Sequence, residues 1–179
     1  MPFWIPFALF LALVLWAILS AWRPRRRPVP EVEAVMEPYR RGDYEASLAA
    51  SEGLRSGGNI TAPYCFFRGA NLAHLGRLAE AETWLRRNVA MHEQDREKRH
   101  LAIALTRLGH LMLQAGRYDD AQKAFEASMK NVPERGSGYR GMAELYLLRG
   151  DSPSEALRWA NLAVKQEQAD SLFRKMSVN

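Results

Sequence analysis

Four glycines mark out this chain at a near-constant interval. Gly42 sits in RRGDYEA, Gly76 in HLGRLAEA, Gly116 in QAGRYDDA and Gly150 in LRGDSPSEA. The first and last gaps are each 34 residues, and the middle gap is 40. The six extra residues fall around the charged run at 94–99, QDREKR. A period of this length describes stacked supersecondary units, each too small to bury its own apolar face. Such a chain grows by repetition rather than around one closed core.

Between the glycines the apolar residues keep helical spacing. In LAIALTRLGHLMLQA they stand at 101, 105, 108, 112 and 115, which lie on one face of a 3.6-residue period. In the next segment Ala121, Ala124, Phe125 and Met129 repeat the pattern. A glycine between two such runs reads as a helix stop in the left-handed conformation. Ser152-Pro153-Ser154-Glu155 reads as a helix start, with Ser152 capping, Pro153 opening the first turn and Glu155 closing a capping box. No segment alternates with period two, so no strand is expected.

These residues resemble the tetratricopeptide-repeat (TPR) family, whose unit is a 34-residue pair of antiparallel helices. Seven residues before each glycine the family has a small residue where the paired helices cross; here stand Gly69, Gly109 and Ala143, with Val35 in the first unit. After each glycine a small residue faces back: Ala46, Ala81, Ala121 and Ala156. Leu85 and Phe125 match the large packing position, Leu108 and Met142 the apolar position of the first helix, and Pro133 the terminal proline. The resemblance implies an all-α fold, an antiparallel helix-pair solenoid of about 3–4 units over residues 31–168. The units fall around 31–58, 62–94, 99–133 and 137–168. Pro38 is expected to shorten or kink the first helix. Residues 169–179 would continue the last helix as a cap or tail, with Leu172, Phe173 and Met176 covering the solenoid end.

The resemblance also implies a concave groove lined by the first helix of each unit. The matching positions are Phe66, Ala70, Ala73 and His74 in the second unit. The third supplies Ile103, Thr106, His110, Leu113 and Gln114, and the fourth Arg140, Glu144, Leu147 and Leu148. This mixed lining suits a helix or extended peptide with apolar anchors. Some relatives clamp a C-terminal carboxylate with basic and amide side chains, but at those places only Arg140 could serve.

The N-terminal segment differs in kind. Residues 3–22, FWIPFALFLALVLWAILSAW, carry no charge and end in tryptophans. Twenty helical residues cover about 30 Å, the thickness of a bilayer core. The expectation is one transmembrane anchor. An arginine/proline-rich spacer at 23–30 follows, with Arg23, Arg25, Arg26 and Arg27 just beyond the run. With positive charge on one side only, the rule for loop charge places residues 23–179 in the cytoplasm, at a bacterial inner membrane. The competing reading is a cleaved signal peptide. No basic residue precedes the run, which is longer than an h-region.

Those four arginines also account for most of the net charge of +5, leaving residues 28–179 almost neutral. A nucleic-acid binder would carry a basic face on the domain itself, so no nucleic-acid partner is expected. The single cysteine, Cys65, excludes an intramolecular disulfide and a CxxC site. His74, His92, His100 and His110 form no HExxH or HxH pair, so no metal site or other cofactor is expected. Without a phosphate loop or GxSxG, no catalytic site is expected; the best candidate is His74 or His110 near Glu144. The resulting expectation is a membrane-anchored scaffold with protein partners, lipid contact through its anchor and no small-molecule substrate. A membrane-associated holdase is the alternative, or a secreted or periplasmic binding module should residues 1–22 be removed.

Overall fold

The computed structural model describes residues 30–150 and 152–176. Run 3–22, the arginines at 23, 25, 26 and 27 and the last three residues lie outside that range. Eight α-helices follow in order among the described residues: α1 (Pro30–Arg40), α2 (Tyr44–Ala50), α3 (Ala62–His74), α4 (Leu78–Gln94), α5 (Lys98–Gln114), α6 (Tyr118–Asn131), α7 (Gly136–Arg149) and α8 (Pro153–Met176). A 3₁₀ turn, Ser51–Leu54, extends α2. The described residues contain no strand, only one isolated bridge between Ser56 and Asn59. None of the described helices is long and apolar enough to cross a membrane.

The helices pair in sequence, α3 with α4, α5 with α6 and α7 with α8, and the first helices of successive units also touch, α3 with α5 and α5 with α7. This is the contact pattern of a helix-pair solenoid. Each hinge glycine takes the left-handed backbone, at φ of +78° for Gly42, +75° for Gly76, +70° for Gly116 and +72° for Gly150. At Gly76 and Gly116 a Cβ would meet nothing within 4 Å. Glycine is needed there for backbone conformation, not for room.

The other glycines are needed for room. A Cβ on Gly69 would lie 2.7 Å from Leu85 Cγ, and one on Gly109 2.5 Å from Phe125 Cε1. Phe125 also abuts Gly141, so its ring is gripped between α5 and α7. Leu85 and Phe125 are almost fully buried, as are Leu72, Met112, Met142 and Leu145 of the same core. Each such side chain contributes about 1.5–3 kcal/mol on burial. Ala81, Ala121, Ala143 and Ala156 are buried where the paired helices meet. A second core under the first unit holds Val35, Leu54, Tyr64, Cys65 and Phe67. Burial pushes the Cys65 thiol up, more than nearby Arg87 draws it down.

The first unit corrects one expectation. Ala46 is exposed, and the residue that faces α1 is its neighbour Ser47, fully buried. Ser47 Oγ donates to the Val35 carbonyl at 3.0 Å and accepts from Asn71 Nδ2 at 2.9 Å. Ser47 keeps the five-residue spacing from glycine seen at Ala81 and Ala121, and its hydroxyl bonds to a backbone oxygen across the helix pair. Pro38 lies inside α1, which at 11 residues is shorter than α3, α5 or α7 and ends two residues later at Arg40. The missing N–H removes one bond in the last turn, where little helix follows.

The six extra residues are absorbed by helix. Helices α4 and α5 have 17 residues each, against 14 each in α6 and α7. Both are therefore nearly a turn longer than their counterparts in the next unit.

Candidate functional site

A cavity of about 420 Å³ opens between α1, α3, α4 and α5. Val32, Pro63, Phe66 and Ile103 form its apolar part, and His92, Asp95, Glu97 and His100 its polar end. Helix α3 reaches it because Thr61 caps its start: Thr61 Oγ1 accepts from Tyr64 N–H at 3.3 Å. Phe66 is half-buried, edge-on to Phe67 at 5.3 Å, with the Arg107 guanidinium 5.6 Å from its ring centre.

The groove positions divide by burial. Ala70, Thr106 and Leu113 are buried, which corrects their assignment to an open lining. Thr106 Oγ1 bonds with the Ala102 carbonyl at 2.9 Å and with Ser128 Oγ at 2.9 Å, tying α5 to α6. Leu113 belongs to the main core. His74, Gln114, Arg140, Glu144, Leu147 and Leu148 are exposed, and Phe66, Ala73, Ile103 and His110 are half-buried.

Two histidines of that face are already partnered. His74 stacks flat on Tyr44, 4.2 Å between centres, and its Nε2 lies 3.0 Å from the Tyr39 hydroxyl. Burial, then the charge of Arg107, holds His74 below the ordinary imidazole range. His110 Nδ1 lies 3.1 Å from Glu144 Oε2, and its ring sits edge-on to Phe125 at 5.2 Å. Burial holds His110 low as well, against the pull of Glu144. Arg140 pairs with Glu167 of α8 at 3.1 Å.

Sequence reasoning missed the polar end of the cavity. His92 and His100 match no metal motif, yet His92, Glu97 and His100 bring their donor atoms within 4.8 Å of one another. His92 lies in the last turn of α4, Glu97 precedes the first residue of α5, and His100 lies in its first turn. Burial, then the neighbouring His100, pulls His92 below the ordinary imidazole range, although Glu97 and Asp95 oppose this. The available signal was the six-residue excess, which runs between the two histidines.

The turn itself is unusual. Arg96, at φ +55°, is the single non-glycine in the left-handed region among the described residues. It stands where the other hinges have glycine. Its N–H donates to the Glu93 carbonyl, and the Glu97 N–H to the His92 carbonyl at 3.2 Å. Glu97 is thereby folded back under the end of α4.

Residues 62–134 match the family model for the tetratricopeptide repeat. No curated protein matches the chain. Among solved structures, the crystal structure of MamA aligns at a TM-score of 0.61 with 17% identity, covering 79% of this chain and 78% of that one. The MamA RS-1 ArsTM double mutant aligns at 0.58 with 19% identity, covering 88% and 83%. At such identities the likeness is one of fold: a helix-pair solenoid.

Proposed function

Residues 62–134 being tetratricopeptide repeats, we propose that this chain is a membrane-anchored adaptor that holds a partner protein in the groove formed by the first helices of its units. The observation that carries the reading is the cavity beside Phe66. Its volume lies within the ~300–1,000 Å³ of typical binding pockets, and it combines an apolar wall with a few polar groups. Val32, Phe66 and Ile103 come from α1, α3 and α5, so one bound side chain would touch three successive units. An apolar anchor of a helix or extended peptide is the matching ligand. His110, Glu144 and Arg140 continue the same face with polar tips suited to orienting a backbone.

The uncharged run at 3–22 and the arginines after it support an anchor that keeps the groove on the cytoplasmic face. Tethering raises the effective concentration of membrane-proximal partners. The His110–Glu144 pair acts in this reading as a polar contact on the binding face and not as catalytic machinery.

Photo-cross-linkers placed at Phe66, His110 and Arg140 of the full-length chain in cells test the proposal. An adaptor yields adducts with one or a few proteins. Capture of many unrelated proteins at all three positions would identify a holdase instead. Adducts confined to control positions on α4 and α6, at Arg86 and Gln122, would reject the groove.

A further inference from the structure

We propose that His92, Glu97 and His100 form a binding site for a divalent ion of the Zn²⁺ class at the junction of α4 and α5. The donors are suitably spaced. Zinc bonds of about 2.0–2.2 Å to nitrogen and oxygen set tetrahedral donors roughly 3.3 Å apart. Glu97 Oε2 lies 3.6 Å from His92 Nδ1 and 2.8 Å from His100 Nδ1, values on either side of that spacing. The two imidazoles stack 5.3 Å apart at 21°, so both present an edge to the same carboxylate. Two imidazoles and one carboxylate suit zinc and its transition-metal neighbours; calcium and magnesium take oxygen donors.

Two further observations bear on the site. His92 has only 12% of its side chain exposed, and its Nδ1 is buried without a hydrogen-bond partner. An unsatisfied buried group of this kind needs a physical reason, and an ion is one. Asn88 lies behind it, with Nδ2 3.4 Å from His92 Nε2 and donating to the Ala62 carbonyl at 2.8 Å, so the amide is held in place against the far edge of the ring. The second observation is the left-handed Arg96, whose strained backbone brings Glu97 under His92. Backbone strain of this kind gathers at functional sites.

With three protein donors the ion keeps a fourth position for water or for a carboxylate from a bound partner. Asp95 lines the same cavity. The ion would join the second unit to the third. The inference does not depend on the adaptor reading, because it concerns binding of the ion alone.

Full-length chain purified without a histidine tag and stripped of metal is titrated with ZnCl₂ by calorimetry. CoCl₂ serves as the spectroscopic probe. One Zn²⁺ per chain is expected, with micromolar or tighter affinity, and Co²⁺ should show the intense visible bands of a tetrahedral site. His100→Gln and Glu97→Gln should each weaken binding about 10–100-fold or more and remove those bands. Both side chains are exposed, so both variants should melt like the parent without metal. His74→Gln and His110→Gln should leave binding intact. A parent chain that binds Zn²⁺ no more tightly than His100→Gln overturns the assignment.

Discussion

Phe125 shows how single residues set this fold. Its ring lies against Gly109 of α5 and Gly141 of α7, where any Cβ would collide with it. Gly109→Ala should therefore destabilise the chain by about 1–3 kcal/mol through overpacking, read from denaturant melts of the full-length protein. Adding Phe125→Leu should restore part of the loss, since residues in contact are not additive. An unchanged melting midpoint for Gly109→Ala would refute the close crossing. His110 makes a different prediction. Burial holds it below the ordinary imidazole value, while Glu144 and Arg140 of α7, Arg107 of α5 and the Phe125 ring of α6 face it. The unfolded chain, with a histidine value of about 6.5, then binds more protons than the folded one just below that pH. Stability contributed by neutral His110 is present above about 6.5 and is lost as pH falls toward the folded value. The melting temperature should drop on acidification from about pH 7 to about pH 5. His110→Gln should flatten part of that slope, and an identical slope in the variant would exclude His110 as its source.

The junction between α4 and α5 decides what is distinctive at the level of elements. Helices α3, α5 and α7 end on left-handed glycines, whereas α4 ends on Arg96 in that conformation. The left-handed region costs a non-glycine residue about 1–2 kcal/mol, against roughly 0.5–1 kcal/mol of extra chain entropy for glycine. Arg96→Gly should accordingly stabilise the chain by about 0.5–1 kcal/mol in the same denaturant melts. A loss of stability would show that the Arg96 side chain contributes more than its backbone strain. The neighbouring junction between α4 and α6 is bridged by Arg117, which bonds Glu82 at 2.8 Å and also holds Asp120. Arg117 and Asp120 are exposed and Glu82 is half-buried, so these pairs contribute little to stability.

For the whole molecule the open issue is where the solenoid is held. Residues 3–22 lie outside the described residues, and their sequence makes the prediction. A reporter active only in the cytoplasm, fused after Asn179, should be active and should sediment with membranes. A shortened, exported product would replace the anchor reading with that of a secreted or periplasmic binding module.

Periodicity was enough to read the helix pairs. Gly42, Gly76, Gly116 and Gly150 are short-range signals, because a left-handed stop depends on backbone sterics at a single residue. The small residues seven positions earlier were legible for a similar reason, since helix crossing demands a small side chain wherever the partner is large. The site was less legible. Ala70, Thr106 and Leu113 share helices with the exposed residues His74 and Gln114 and the half-buried His110, and their burial follows from the packing of the neighbouring helices. Ser47 replaced Ala46 because its buried hydroxyl finds the Val35 carbonyl, a partner twelve residues away. Six extra residues were visible as a break in the period, but whether they formed a loop or longer helices depended on packing. Because they lengthened α4 and α5 and turned the chain back at Arg96, His92, Glu97 and His100 converge. The i,i+3 spacing of Glu97 and His100 was visible along the chain, but the approach of His92 to them across the α4–α5 junction is a property of distance in space.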